Sequence, residues 1–153
     1  MNYDFIGFLN DESVMVLRGG TKLEIMDELI DRAAELTRLN RDVIYRMTWK
    51  REQMMTTGVG NGLALPHIRV NDITRPYVIV GVCENAIDDY QSQDDQPVRV
   101  IVFTVAPDEN QENYLQLLGS ISRKLRNPEL IAELIENAGT PAKILEIIQR
   151  DEA

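Results

Sequence analysis

Apolar positions fall into two rhythms along this chain. Leu23, Met26, Leu29, Ile30, Ala33, Ala34 and Leu36 recur at the spacing that lines one face of a helix. Thr21-Lys22-Leu23-Glu24 opens that helix as a capping box, in which hydroxyl and carboxylate satisfy free backbone donors. A second helix is predicted from Asn40 or Arg41-Asp42 through Val43, Ile44 and Met47 towards Arg51. Tyr114, Leu117, Leu118, Ile121 and Leu125 mark a third, over about 110–126. Asn127-Pro128-Glu129 and Thr140-Pro141 each put proline at a first helical position, so two more helices start there.

The other rhythm is extended. Tyr77 to Cys83 and Val98 to Val105 are nearly unbroken apolar runs, as expected of strands covered on both faces. Val14 to Leu17, closed by Gly19-Gly20, and Leu63-Ala64-Leu65 are shorter candidates. Pro66 has no N–H for a ladder, which predicts that the chain leaves the sheet near His67. The acidic, polar segment 85–96 reads as an exposed loop or a short turn-rich excursion. Helices on either side of hydrophobic strands give the α/β class, a mixed parallel/antiparallel sheet with helices on both faces. The strand order is not legible.

No repeat or low-complexity linker divides the 153 residues, so one domain over 1–153 is expected. Asp and Glu number 25 against 16 Lys and Arg, a formal charge of −9. That balance speaks against nucleic acid as a general partner, and leaves room for a local basic patch. A lone cysteine, Cys83, cannot form an internal disulfide, which fits a reducing compartment. Residues 1–6 show no basic segment ahead of an apolar core, and no uncharged apolar stretch is long enough for a bilayer. The expectation is a cytoplasmic protein without membrane insertion.

Chemistry concentrates around His67, the one histidine. It follows a rigid proline at the end of an apolar run, with Gly58-x-Gly60-x-Gly62 just upstream. Such backbone either presents several N–H groups to one anion or simply makes a tight turn. A dinucleotide fingerprint needs glycine where Leu63 stands, and a Walker loop needs Lys-Ser/Thr after Gly62. Zinc chemistry lacks ligands, with one histidine and one cysteine. Cys83 lies inside an apolar strand, where a core role outweighs a nucleophilic pairing with His67.

Arg51-Glu52 followed by Thr57-Gly58-Val59-Gly60-Asn61-Gly62-Leu63-Ala64-Leu65-Pro66-His67 resembles the active-site segment of the fructose/mannitol-type IIA domains. These belong to the bacterial phosphoenolpyruvate-dependent sugar phosphotransferase system and include nitrogen-regulatory IIA proteins. The resemblance covers nearly the whole chain. It implies that His67 takes a phosphoryl group from the phosphocarrier HPr and hands it to a IIB domain or uses it as a regulatory signal. It implies that Arg51 supports the site, bridging phosphate oxygens or holding a carboxylate, and that Asn61 orients loop or ring. No metal or organic cofactor is implied. A regulatory binding module of the same fold, with weak or no transfer, is the alternative.

Two positions depart from the family pattern. Ile68 stands where a small residue usually follows the histidine, and either narrows the approach to the ring or packs beneath it. Tyr114 stands where many members carry a second histidine. Its hydroxyl suits a hydrogen bond to ring or phosphate, and its ring suits capping the core.

Overall fold

The computed structural model describes residues 2–150. Two 3-10 turns, Phe5–Phe8 and Asp11–Ser13, lead into strand β1 (Val14–Leu17) and helices α1 (Lys22–Thr37) and α2 (Arg41–Met54). Three short strands follow: β2 (Gly58–Gly60), β3 (Leu63–Ala64) and β4 (His67–Val70). Two long strands, β5 (Tyr77–Ile87) and β6 (Val98–Pro107), precede helices α3 (Gln111–Leu125), α4 (Pro128–Glu136) and α5 (Pro141–Gln149). The sheet runs β1-β5-β6-β3-β2, with β4 also on β6. β1 is parallel to β5, β3 and β4 are parallel to β6, and β5–β6 and β2–β3 are antiparallel.

The unbroken apolar runs serve two cores at once. Val78, Val80, Val82, Val100 and Val102 face one cluster, built with α3, α4 and α5. Ile79, Cys83, Ile101, Phe103 and Val105 face the other, built with α1 and α2. Period-two alternation therefore persists although nearly every position is apolar. Cys83 sits in the second core, where burial pushes its thiol up to about 12, so it is no nucleophile.

The helix signals act locally as their chemistry requires. The Thr21 hydroxyl accepts from Glu24 N, and the Glu24 carboxylate reaches back to Gly20 N–H rather than to Thr21 N–H. Asn40 caps α2 on Asp42 and Val43 N–H, and Asn127 caps α4 on Glu129 N–H. Pro128 and Pro141 occupy the first turns of α4 and α5.

Two expectations are corrected. The chain does not leave the sheet at Pro66. Ala64 lies opposite Ile101 and His67 opposite Thr104, so β3 and β4 keep one register along β6. The Pro66 carbonyl accepts from Thr104 N–H at 3.0 Å, which sustains the ladder where proline's own donor is missing. Nor is segment 85–96 wholly an exposed loop. β5 continues to Ile87, and Ile87, Tyr90 and Ser92 are buried. Tyr90 is 1% exposed because its hydroxyl meets the Thr57 hydroxyl inside the protein.

That segment packs tightly on the β2–β3 hairpin. A Cβ on Gly58 would stand 2.3 Å from the Gln91 carbonyl oxygen and 3.0 Å from Ser92 Cα. Backbone cannot withdraw as a side chain can, so Gly58→Ala should destabilise the fold by about 1–3 kcal/mol. Urea unfolding measures this; an unchanged midpoint would show that the loop yields freely.

Candidate functional site

β4 sets the stage. In a strand, alternate residues share a face, so His67 and Arg69 point one way while Ile68 and Val70 enter the α1–α2 core. Ile68 is 5% exposed and supports the strand from beneath, which settles its two readings mainly in favour of packing. Its edge also contributes to the wall of the hollow beside His67.

His67 is half-buried, and its Nδ1 lies 2.8 Å from the Leu65 carbonyl oxygen. A carbonyl only accepts, so Nδ1 carries the hydrogen and the neutral ring keeps its lone pair on Nε2. Pro66 fixes that geometry from between the two residues, since the residue before proline is confined to extended backbone. The imidazole is shared by two hollows. One, of about 380 Å³, is lined by Met47, Lys50, Arg51, Met54, Arg69 and Tyr114 together with His67 and Ile68. The other, of about 270 Å³, lies towards Thr56, Val59, Gln93 and Leu118 and also includes Arg51.

The cations are therefore local although the chain is acidic. Arg51 sits in the last turn of α2, and its Nη1 donates to the Met55 carbonyl at 2.9 Å. That bond directs the guanidinium across the helix end rather than onto a carboxylate. Arg69 lies over the Tyr114 ring, with its guanidinium carbon 4.4 Å from the ring centroid. Its Nη1 donates to Gln111 Oε1 at 2.6 Å, and its Nε is buried with no hydrogen-bond partner among the described residues. Tyr114 in turn meets His67, ring centroids 6.1 Å apart and planes tilted by 57°. Tyr114 thus joins the histidine to an arginine. Burial raises its phenol's pKa, against the opposing pull of Arg69 and Arg51, so it stays protonated.

Asn61 is elsewhere. It forms the β2–β3 turn with φ of 55°, and its N–H donates to Asp94 Oδ2 at 2.8 Å. It lines neither hollow. Gly60 and Gly62 flank it with φ of 102° and 79°, values that favour glycine, so these glycines make the hairpin. Gly58 N–H bonds the Thr56 hydroxyl, and the Gly62 carbonyl accepts from Arg99 and Val100 N–H. The Asn61 bond anchors the loop to Asp94, and the Gly62 carbonyl anchors it to the start of β6.

Arg69 and Lys50 escaped the sequence reading. Arg69 becomes visible once β4 is recognised, because it stands two residues beyond His67 on the same face. A ring of exposed apolar side chains was equally hidden: Met54 at 76%, Met55 at 67%, Leu115 at 56% and Val59 at 39% exposure. Met54 lines the first hollow, and Met55 and Val59 the second. Among the described residues no three histidine, cysteine or carboxylate side chains are grouped to hold a metal ion.

Burial lowers the His67 pKa below the usual histidine value; the Leu65 hydrogen bond opposes this, Arg51 adds to it, and Glu52 opposes it. The neutral, nucleophilic ring is then the resting form at neutral pH. An NMR titration of its ring carbons should give a midpoint below about 6.5, and Arg51→Met should move that midpoint up. A parent midpoint above the usual value would contradict this electrostatic picture.

The chain matches, over residues 7–151, the family described as "Phosphoenolpyruvate-dependent sugar phosphotransferase system, EIIA 2". It is 30% identical over 118 residues to a nitrogen regulatory protein of Bradyrhizobium diazoefficiens, covering 77% of this chain and 76% of that one. It is also 30% identical over 117 residues to a fructose-specific EIIA component of Haloferax volcanii, covering 76% and 75%. Among solved structures, the nitrogen regulatory protein IIA-Ntr of Neisseria meningitidis superposes with a TM-score of 0.83 at 18% identity, covering 94% of this chain and 98% of that one. The Escherichia coli mannitol enzyme IIA, in complex with phosphorylated mannitol enzyme IIB, superposes with a TM-score of 0.71 at 17% identity, covering 92% and 96%. No helix among the described residues is long and apolar enough to cross a membrane. The family match and the two relatives at 30% identity show that this chain belongs to the EIIA type-2 family of the phosphoenolpyruvate-dependent sugar phosphotransferase system.

Proposed function

We propose that His67 is the phosphoryl acceptor of this IIA protein and that the reacting atom is Nε2. The observation that carries the proposal is the Nδ1–H bond to the Leu65 carbonyl, which leaves Nε2 with the lone pair beside three cationic side chains. In the step, Nε2 forms a bond to phosphorus as the donor's P–N bond breaks. The departing nitrogen takes the electron pair, and the His67 proton stays on Nδ1. The transition state for such transfer is loose, so the protein's task is positioning and balancing charge on the equatorial oxygens. Lys50, Arg51 and Arg69 suit that task, as preorganised donors in a half-dry site. The N–P bond remains reactive, which is what a carrier requires.

The donor is an HPr-like phosphocarrier, and the recipient a IIB domain or a regulatory target. Two features support protein partners rather than a small substrate. The hollows are open, and Met47 and Met54 line one and Met55 the other; flexible thioether side chains adapt to several partner surfaces in turn. The mannitol relative joined to phosphorylated IIB supports the recipient. A regulatory reading, with transfer slow or absent, draws on the nitrogen regulatory relative and on Tyr114, which brings no charge of its own.

Incubation with phosphoenolpyruvate, enzyme I and HPr should place one acid-labile phosphate on the parent and none on His67→Ala. Arg51→Met and Arg69→Met should each slow uptake by about tenfold to a hundredfold, a little less than loss of a full oxyanion donor. Equal labelling of His67→Ala would overturn the acceptor assignment. A labelled but unaltered rate in Arg69→Met would remove that arginine from the mechanism. Should the parent stay unlabelled while still capturing target proteins, the regulatory reading takes its place.

A further inference from the structure

Behind the imidazole lies a buried polar network that the proposed transfer step does not use. Glu52, with its side chain 2% exposed, accepts from Lys22 Nζ at 2.8 Å. Its other oxygen accepts from the Thr57 hydroxyl, and the Tyr90 hydroxyl meets that same threonine oxygen and lies 3.4 Å from the same Glu52 oxygen. Lys22 Nζ stands 4.2 Å from the Tyr90 ring centroid and 5.8 Å from that of Trp49. Burying such a pair costs desolvation free energy, and apolar residues of similar volume serve stability as well or better. Its presence calls for a role beyond holding helices together.

The network continues through backbone to the ring. The Thr57 carbonyl accepts from Leu65 N–H at 2.9 Å, and the Leu65 carbonyl accepts from His67 Nδ1–H at 2.8 Å. Leu65 is thus held at its N–H by the residue that Glu52 holds, while Pro66 restricts it from the other side. We propose that Glu52 and Thr57 are positioning residues: they lock the Leu65 carbonyl in place, so that the His67 proton is confined to Nδ1 and Nε2 is kept as the reactive nitrogen. The proposal deepens the acceptor reading of His67, but its consequence, the tautomer of the free ring, exists without any phosphoryl transfer.

The groups around the ring keep the test clean. Lys50, Arg51, Arg69 and Tyr114 line the hollow with His67, and Glu52 acts on it from behind. Thr57→Val keeps shape and every charge while removing the hydroxyl. Glu52→Gln keeps shape while removing a charge that favours the imidazolium. The two changes therefore separate the hydrogen bond from the charge.

The experiment is nitrogen NMR of the single histidine in the full, unphosphorylated chain. In the parent at high pH, His67 should be almost entirely the Nδ1–H form. Thr57→Val should raise the Nε2–H fraction by about fivefold, the population shift governed by one hydrogen bond of ordinary net strength. Its titration midpoint should fall a little, because the Leu65 bond favours the imidazolium, and Thr57→Ser should restore the parent ratio. Glu52→Gln should also raise the Nε2–H fraction and should lower the midpoint further than Thr57→Val, since a favourable charge is lost as well. A folded Thr57→Val protein with the parent's tautomer ratio overturns the proposal. If Thr57→Val does not fold, Glu52→Gln decides: an unchanged ratio overturns it. Failure of phosphate uptake with the tautomer shifts intact would count against the acceptor reading and leave the relay standing.

Discussion

The site depends on one backbone constraint, the common register that β3 and β4 keep along β6 across a proline. A strand interrupted by a residue without N–H would ordinarily peel away. Here the Pro66 carbonyl takes the Thr104 N–H, so the ladder loses one donor but no acceptor. His67 is therefore delivered by a strand anchored deep in the sheet rather than by a mobile loop. Helix α2 ends against that strand, bringing Arg51 and Lys50, and helix α3 begins there, bringing Gln111 and Tyr114. One register thus fixes where three elements meet, and the precision a reactive nitrogen needs comes from the rigid scaffold.

Electrostatics then divide the molecule into a broadly acidic body and a small cationic corner. Burial makes the imidazolium costly, and Arg51 makes it costlier, so His67 rests neutral. On the proposed assignment the same positive surroundings favour the phosphorylated ring, whose new group brings negative charge. Both states of a carrier are thereby accommodated without moving a charged side chain far. Glu52 limits the effect from behind, since a carboxylate wholly matched by Lys22, Thr57 and Tyr90 cannot swing towards the phosphate.

Legibility followed the range of the interactions involved. Helix starts were readable because caps act within a few residues: Thr21, Asn40, Asn127 and the two prolines behave as their local chemistry demands. The two long strands were readable because burial on both faces erases polar positions. Pro66 misled, because its missing donor is visible in sequence while the Thr104 N–H that its carbonyl accepts is remote. Tyr90 misled for a kindred reason, a buried residue set among acidic neighbours whose partners lie over 30 positions away. His67 and Arg51 were picked out through a motif, whereas Arg69 needed knowledge that β4 is a strand. Asn61 shows the motif's limit, since its place in that string reflects the turn it makes.

Tyr114 carries the last step. A tyrosine at this position cannot supply charge, yet its ring is the surface over which Arg69 lies, 4.4 Å away, and it stands 6.1 Å from the His67 ring, centroid to centroid. The cation is delivered by the strand and steadied by the helix. An arginine stays protonated throughout the physiological range, so a partner of this kind stabilises phosphate oxygens at any pH the cell reaches. A titrating partner would couple transfer to acidity. On the proposed assignment the acceptor ring itself changes charge around neutrality, so acid acts by occupying Nε2 with a proton.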